Sequence, residues 1–508
     1  MQDNKRFRTM GLRHFIYCLF FVAIIDSVQA QSKFIKTPPQ LANIKRLQAM
    51  VEANPENLKA HQTFLNALAP EDPYLKIQYA IWLKRFPKSF NVPFSIGKSL
   101  TNRLYPEGRA FLLKAVELNP KHAESWFLLG IDAANYGDTL AQQKYMAKAK
   151  EAEPENSKYA FQYAYSFKDT NPATFDSLSI AVAFKFPDSE EAPLALTYLA
   201  LNSKNPNEKI AFFEQLYKRY SAKPYPSSSY GIQAFFNLLL EKNPQRAFEV
   251  ALNMVIEPKV NHYEWSKNLN LVRTYRDAKN MMDLNNPSKA LEVLDGLSAE
   301  NRKNDRYVLF KTEIIEAIYD SEAAYDTLSL FYAKRPGIKS RFALLAYAKK
   351  FGKDEEQVDL DIRSLREAAA PIAKDFYLQR YTDTNRVSLS DYKGKIILLT
   401  YWFPTCPPCL AEFPHLESVV KKYTNRELVY LGINTERKQD AYVLPFLRSK
   451  RYSFLPLKEE PRDKGNLHYW GVPQNYLIDQ KGRVMFSDFR IDESNEDMLD
   501  LMIKELLE

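Results

Sequence analysis

Residues Thr400 to Pro414 read TYWFPTCPPCLAEFP. The stretch holds Cys406 and Cys409, and the only other cysteine among the 508 residues is Cys18. Just upstream, after the Lys393-Gly394-Lys395 turn, Ile396 to Leu399 form an apolar, β-branched run. That pattern predicts a buried strand. Downstream, Leu410, Phe413, Leu416, Val419, Val420 and Tyr423 recur at helical spacing, with Lys421 and Lys422 where they suit the helix dipole. Cys406 is therefore placed at a strand-to-helix junction. Exposed N–H groups and the dipole at a helix start favour a thiolate. Cys409 lies one turn on, close enough to attack a mixed disulfide on Cys406. Cys406 is expected to protrude and attack first, and Cys409 to be less exposed and to resolve. Pro408 falls in the first turn, where proline is tolerated. Pro407 and Pro408 both lack N–H groups, so few donors can face the sulfur. Only moderate acidification of Cys406 follows, with a pair poised on the reducing side.

Other uses of the two cysteines fit less well. A zinc site needs four ligands, and only His415 and His468 accompany the cysteines, at no finger-like spacing. Covalent haem attachment needs histidine after the second cysteine, where Leu410 stands. A peroxidatic site carries threonine three residues before its cysteine, and Phe403 stands there. No cofactor or metal is expected. A redox-active dithiol is the remaining reading.

The grammar on either side is α/β. ELVYLGINTE (Glu427 to Glu436) reads as a strand, and DAYVLPFLRSKRY as a helix broken near Pro445. QNYLID and RVMFSDF read as paired strands around Lys481-Gly482, and NEDMLDLMIKELLE as an amphipathic closing helix.

From about residue 370 to the end, the chain resembles the thioredoxin-fold domains of the TlpA/ResA type, exported thiol–disulfide oxidoreductases. The resemblance rests on LSDYKGKIILLTYWF, CPPCLAEFP and GVPQNYLID, in that order. It implies that Pro473 is the family's cis-proline, beside the cysteines and offering backbone to a bound substrate. It also implies that Glu412, three residues after Cys409, is an acid–base group near the thiols. Catalytic candidates are thus Cys406, Cys409, Glu412 and Pro473. Two departures stand out. Thr405 replaces the tryptophan common before the first cysteine, although Trp402 keeps an earlier aromatic position. Thr400 replaces the buried carboxylate that ordinary thioredoxins carry six residues before that cysteine, which leaves Glu412 as the proton acceptor for Cys409.

Upstream, Pro55, Pro87, Pro120, Pro154 and Pro187 are spaced 32, 33, 34 and 33 residues apart. Between Pro120 and Pro154, the residues Trp126, Leu129, Gly130, Ala149 and Pro154 resemble the tetratricopeptide (TPR) pattern, with Gln142 standing where a small residue is usual. Gly130 and Ala149 would let paired helices approach. After Pro187 the period is lost, although Lys289 to Glu300 and Arg341 to Gly352 still read as helical, and Pro244 and Pro287 suggest turns between repeats. Residues 40–365 are expected to form a TPR-like helical solenoid, and 370–508 a thioredoxin fold.

The chain begins with the basic KRFR and Arg13, then eleven apolar or aromatic residues from Phe15 to Ile25, then DSVQAQ. This predicts a secretory signal peptide, residues 1–30, cleaved after Ala30. The apolar run is short of the roughly 20 residues a membrane span needs. Cys18 follows bulky Tyr17 inside that run, which does not suit lipid attachment. Net charge is +8; residues 1–30 hold four basic side chains (Lys5, Arg6, Arg8, Arg13) against Asp3 and Asp26, so removing them leaves +6. Spread over nearly 480 residues, that gives no nucleic-acid stripe.

The whole is α plus α/β. The expected activity is an exported, periplasmic or envelope thiol–disulfide oxidoreductase of the reductase type. Its partners would be protein disulfide substrates, a membrane or envelope electron donor, and a protein on the helical repeats. The competing reading is a TPR-type binding scaffold with an incidental or inactive redox domain. Intact Cys406, Cys409 and Pro473 count against it.

Overall fold

The computed structural model describes residues 36–222, 225–257, 261–423, 427–460 and 465–507. The export signal, its cleavage point after Ala30 and Cys18 lie outside the described residues. Among the described residues no helix is long and apolar enough to cross a membrane.

Nineteen described α-helices, α1 (Pro38–Ala53) to α19 (Glu355–Ala369), follow one another through the first part of the chain. Local chemistry sets their ends. The five periodic prolines fall in the turns that follow Pro38–Ala53, Pro73–Arg85, Gly108–Leu118, Thr139–Ala152 and Pro172–Lys185. A proline there cannot continue the helix. Other prolines open helices: Pro73 and Pro172 do so between the periodic ones, and Pro206, Pro226, Pro244 and Pro287 do so beyond Pro187. A proline at that position lacks only an N–H that would be orphaned anyway. Asn205, Asn243 and Asn286 cap the starts at Pro206, Pro244 and Pro287 by accepting a first-turn N–H. Pro244 and Pro287 are thus helix starts rather than the turns expected between repeats. The helices continue to Ala369 although the proline period stops.

Of the described residues, those from 36 to 129 form one compact body and those from 130 on a second. The first is built around Phe64, Tyr79 and Trp82, with ring centroids 4.9 Å (Phe64–Trp82) and 5.0 Å (Tyr79–Trp82) apart. His61 ties this cluster to the turn at Pro55. Its ring nitrogens lie 2.9 Å from the Tyr79 hydroxyl and 2.9 Å from the Pro55 carbonyl. In the second body Gly130 faces Met146, and a Cβ at 130 would come 2.7 Å from the methionine methyl.

The C-terminal part carries a five-stranded sheet in the order β5-β4-β3-β6-β7. The strands are β3 (Ile396–Trp402), β4 (Leu428–Asn434), β5 (Leu455–Lys458), β6 (Gln474–Ile478) and β7 (Val484–Ser487). A short antiparallel pair, β1 (Leu378–Gln379) and β2 (Arg386–Val387), precedes it. β3 runs parallel to β4 and antiparallel to β6. Every residue of β3 is buried. Its alternation sends Ile396, Leu398 and Trp402 to one core and Ile397, Leu399 and Tyr401 to the other. Each such side chain contributes about 1.5–3 kcal/mol relative to exposure. The helices are α20 (Pro407–Val420), α21 (Asp440–Lys450) and α22 (Glu496–Leu507). α21 is one continuous helix with Pro445 inside it, so the expected break does not occur. Pro445 removes one backbone donor, and the helix continues to Lys450.

This domain is fastened to the helical region of the same compact body at two places. At α21, the Tyr442 hydroxyl lies 2.9 Å from Asp132 Oδ1, Ser449 donates to the Gly137 carbonyl, and Lys450 pairs with Asp169 at 3.1 Å. Gly137 has φ +73°, and a Cβ there would lie 2.9 Å from that of Ser449. At α22, Glu505 accepts from the Tyr332 hydroxyl (2.6 Å) and pairs with Arg366 (2.8 Å), while Arg483 pairs with Glu367 at 2.8 Å.

Candidate active site

β3 ends at Trp402, and α20 starts five residues later, with Cys406 as its N-cap. Trp402 sets the floor of the junction. It is fully buried, with ring centroids 5.2 Å from Phe413, 5.1 Å from Phe454 and 5.9 Å from Phe446. Pro407 and Pro408 occupy the first two helical positions, so neither can donate. The Cys409 N–H is the first available donor, and it lies 3.2 Å from Cys406 Sγ. Cys406 and Cys409 are joined as a disulfide, with sulfurs 1.99 Å apart.

The loop before Cys406 is held from α21's side of the domain. Gln439, 1% exposed, accepts from the Thr405 backbone N–H (3.1 Å) and hydroxyl (3.0 Å). The segment on the other side is the Val472–Pro473 peptide, which is cis. The Val472 carbonyl oxygen lies 3.8 Å from Cys406 Sγ. Two residues earlier Trp470 is 99% exposed, whereas Trp82, Trp265 and Trp402 are buried.

The expected protrusion of Cys406 is not what the oxidised structure shows. Cys406 is 1% exposed and Cys409 0%. The Cys406 sulfur is bonded to Cys409, and the Val472–Pro473 segment lies against it. The exposed residues of the motif are Pro407 and Pro408.

Glu412 sits one turn beyond Cys409 in α20 and is 4% exposed. Its Oε1 accepts from Asn475 Nδ2 (2.7 Å) and from the Ile491 backbone N–H (2.8 Å). Its Oε2 is buried and makes no hydrogen bond; the Arg490 guanidinium is 3.9 Å away. Burial pushes the Glu412 carboxyl up to about 7, against the lowering influence of the Ile491 N–H, Arg490 and Asn475. Thr400, which replaces the buried thioredoxin carboxylate, donates to Asn475 Oδ1 at 2.7 Å. The four candidates thus gather around one helix start: two sulfurs, a segment passing over them, and a carboxyl one turn below.

Gln439, Trp470, Asn475 and Arg490 were not singled out from the sequence. Asn475 carried a usable signal. It pairs with Thr400 across β6 and β3, and a polar residue opposite a polar one in an otherwise apolar pair of strands needs a buried partner. Gln439 had none, because its role depends on how α21 approaches the loop. His415, weighed as a metal ligand, has its Nδ1 2.6 Å from Glu496 at the start of α22.

The C-terminal region is a thioredoxin-like domain. Residues 370–487 match the model of the AhpC/TSA family. Among curated proteins, the thioredoxin-like protein YneN of Bacillus subtilis is 29% identical over 111 residues, 22% of this chain and 65% of that protein. The thiol-disulfide oxidoreductase ResA of Bacillus subtilis is 29% identical over 116 residues, 22% of this chain and 63% of that protein. ResA of Oceanobacillus iheyensis is 32% identical over 116 residues, 22% of this chain and 60% of that protein. The chain thus spans less than two thirds of the length of these relatives. Among solved structures, a thioredoxin-family thiol:disulfide interchange protein from Chlorobium tepidum is similar at 22% identity and TM-score 0.23, covering 27% of this chain and 97% of that one. StoA from Bacillus subtilis is similar at 18% identity and TM-score 0.22, covering 26% and 96%.

Proposed function

We propose that the protein is an exported thiol–disulfide oxidoreductase that works as a disulfide reductase, with Cys406 as nucleophile and Cys409 as resolver. The observation that carries this is the pair itself: two sulfurs at the N-terminus of α20, with a buried carboxyl one turn below them. In the reduced enzyme the Cys406 thiolate attacks a client disulfide. A Cys406–client bond forms, the client S–S bond breaks, and one client sulfur leaves as a thiolate that takes a proton. Cys409 then gives its proton to Glu412 and attacks Cys406. The Cys406–Cys409 disulfide forms, and the second client sulfur leaves and is protonated. Two electrons have passed to the client, so an envelope dithiol donor must reduce the pair again. The Val472–Pro473 segment, against Cys406, offers the client its backbone. The helical region, residues 40–365, would bind a protein partner.

Redox titration of the full chain tests the direction. A midpoint near thioredoxin's, about −270 mV, supports a reductase; one near the strong periplasmic oxidant, about −120 mV, overturns it. Turnover of a protein disulfide with a dithiol donor tests the activity itself. Export is tested by intact mass in the envelope fraction. The expected species begins at Gln31, and one retaining residues 1–30 would mean an anchor instead.

A further inference from the structure

Asn475 is fully buried and pairs with Thr400 across β6 and β3, so both side chains point to the face covered by α20. Its amide has one orientation compatible with its neighbours. Nδ2 meets two acceptors, Glu412 Oε1 at 2.7 Å and the Phe489 carbonyl at 3.1 Å, while Oδ1 meets the Thr400 hydroxyl at 2.7 Å. Turning the amide over would set oxygen against two oxygens. Those two acceptors fix which way Asn475 points, and the Thr400 hydroxyl, itself fully buried, anchors the amide from its other end. Asn475 and the Ile491 N–H in turn saturate one oxygen of Glu412 and leave the other without a hydrogen bond. A carboxyl cannot place its proton on an oxygen already facing two N–H donors, so the proton belongs on Oε2.

We propose that Asn475, anchored by Thr400, is a positioning residue that holds Glu412 so that Oε2 carries the proton exchanged with Cys409. The proposal rests on the reading of Glu412 as the proton acceptor for Cys409. It explains how a threonine can stand where ordinary thioredoxins keep a carboxylate: here it anchors the amide that holds a carboxyl on the neighbouring helix instead of supplying one. Glu412 answers to few other groups. Arg490 and Asp492 approach it from the segment after β7, Tyr430 from β4, and Cys409 precedes it on α20. None of these donates a hydrogen bond to it. Asn475 and the Ile491 N–H are the groups that set its orientation.

The test is a titration of the Glu412 carboxyl in the full-length oxidised protein, by infrared difference spectroscopy, with the band assigned by its loss in Glu412→Gln. The wild-type midpoint is expected near 7. Asn475→Leu removes a donor that favours the charged form and should raise it by about one pH unit. Thr400→Val keeps both Asn475 donors but frees the amide, should shift the midpoint the same way by less, and serves where Asn475→Leu does not fold. An unchanged midpoint in a folded variant overturns the proposal, whether or not the enzyme turns over any client. In single-turnover resolution of a mixed disulfide, the Asn475→Leu inflection should move with the carboxyl midpoint. The Glu412→Gln/Asn475→Leu double variant should behave as Glu412→Gln alone. A further change in the double variant would mean that Asn475 acts by another route, and would overturn the proposal as well. Absence of any turnover in the wild-type protein would count against the reductase reading and leave the carboxyl titration to decide the role of Asn475.

Discussion

Cys409→Ser is expected to turn the protein into a covalent trap, and Cys406→Ser is not. Both variants should lose essentially all turnover, because each removes half of a two-electron couple. They differ in where the reaction stops. With Cys409 absent, Cys406 can still attack a client disulfide, but nothing internal can release the product. The mixed disulfide should then accumulate as a set of bands on non-reducing gels that collapse on reduction. With Cys406 absent, the remaining thiol lies one turn into α20, beneath Pro407 and Pro408, and is 0% exposed. The oxidised protein also buries Cys406, at 1%, so accessibility must come with reduction, when the sulfur is no longer bonded to Cys409. Cys406 holds the helix-cap position and lies 3.8 Å from the Val472 carbonyl, where a client strand would run. Mass spectrometry of the trapped bands would name the clients. More trapping by Cys406→Ser would reverse the two roles. No trapping by either folded variant would favour the scaffold reading.

The strand, the helix and the two cysteines of the site are legible in the sequence because each obeys a local rule. Ile396 to Leu399, a short β-branched run after a glycine turn, reads as a buried strand, and the apolar spacing from Leu410 to Val420 reads as one helix face. Pro445 shows the limit of such rules: a helix keeps its course through one lost hydrogen bond when its flanks pack, as Tyr442, Val443, Phe446 and Leu447 do. The prolines of the helical region show another limit. The five periodic prolines mark turns after helices, others such as Pro73, Pro172, Pro206 and Pro244 open helices, and the period ends while the helices go on. The surroundings of Glu412 were hardly legible: Asn475 left a signal as a polar residue in an apolar strand, but gave no sign of its partner. Its partners come from β6 and from the segment after β7, 63 and 79 residues away along the chain. Only the fold brings them together, and only the fold separates a buried carboxyl from a solvated one.

That burial makes Glu412→Gln the second large expected effect. With its carboxyl pushed up to about 7, Glu412 is about half ionised at neutral pH, where a general base is most useful. Attack by Cys406 should be nearly unaffected, since Glu412 lies on the resolving side. Resolution should slow by about 10²-fold, a typical contribution from a positioned base. Its pH inflection near 7 should disappear, leaving the rate to follow the Cys409 thiol, whose ordinary value is about 8.5. Stopped-flow kinetics that separate the two steps across pH decide this. An unchanged profile would reduce Glu412 to a buried structural acid. Stability should move the opposite way. Below pH 4.5 the carboxyl is protonated in both folded and unfolded chains and costs nothing. Between 4.5 and about 7 the unfolded chain ionises first, so stability falls as pH rises. Above about 7 the full cost is present, about 3 kcal/mol from the gap between the two values. Glutamine keeps an acceptor for Asn475 and the Ile491 N–H without the charge. Glu412→Gln should therefore unfold at higher denaturant than the wild type at pH 8 and show little of that advantage at pH 4. A carboxyl that weakens the fold at working pH, in a place where an amide would serve the packing as well, is accounted for by the proton it moves.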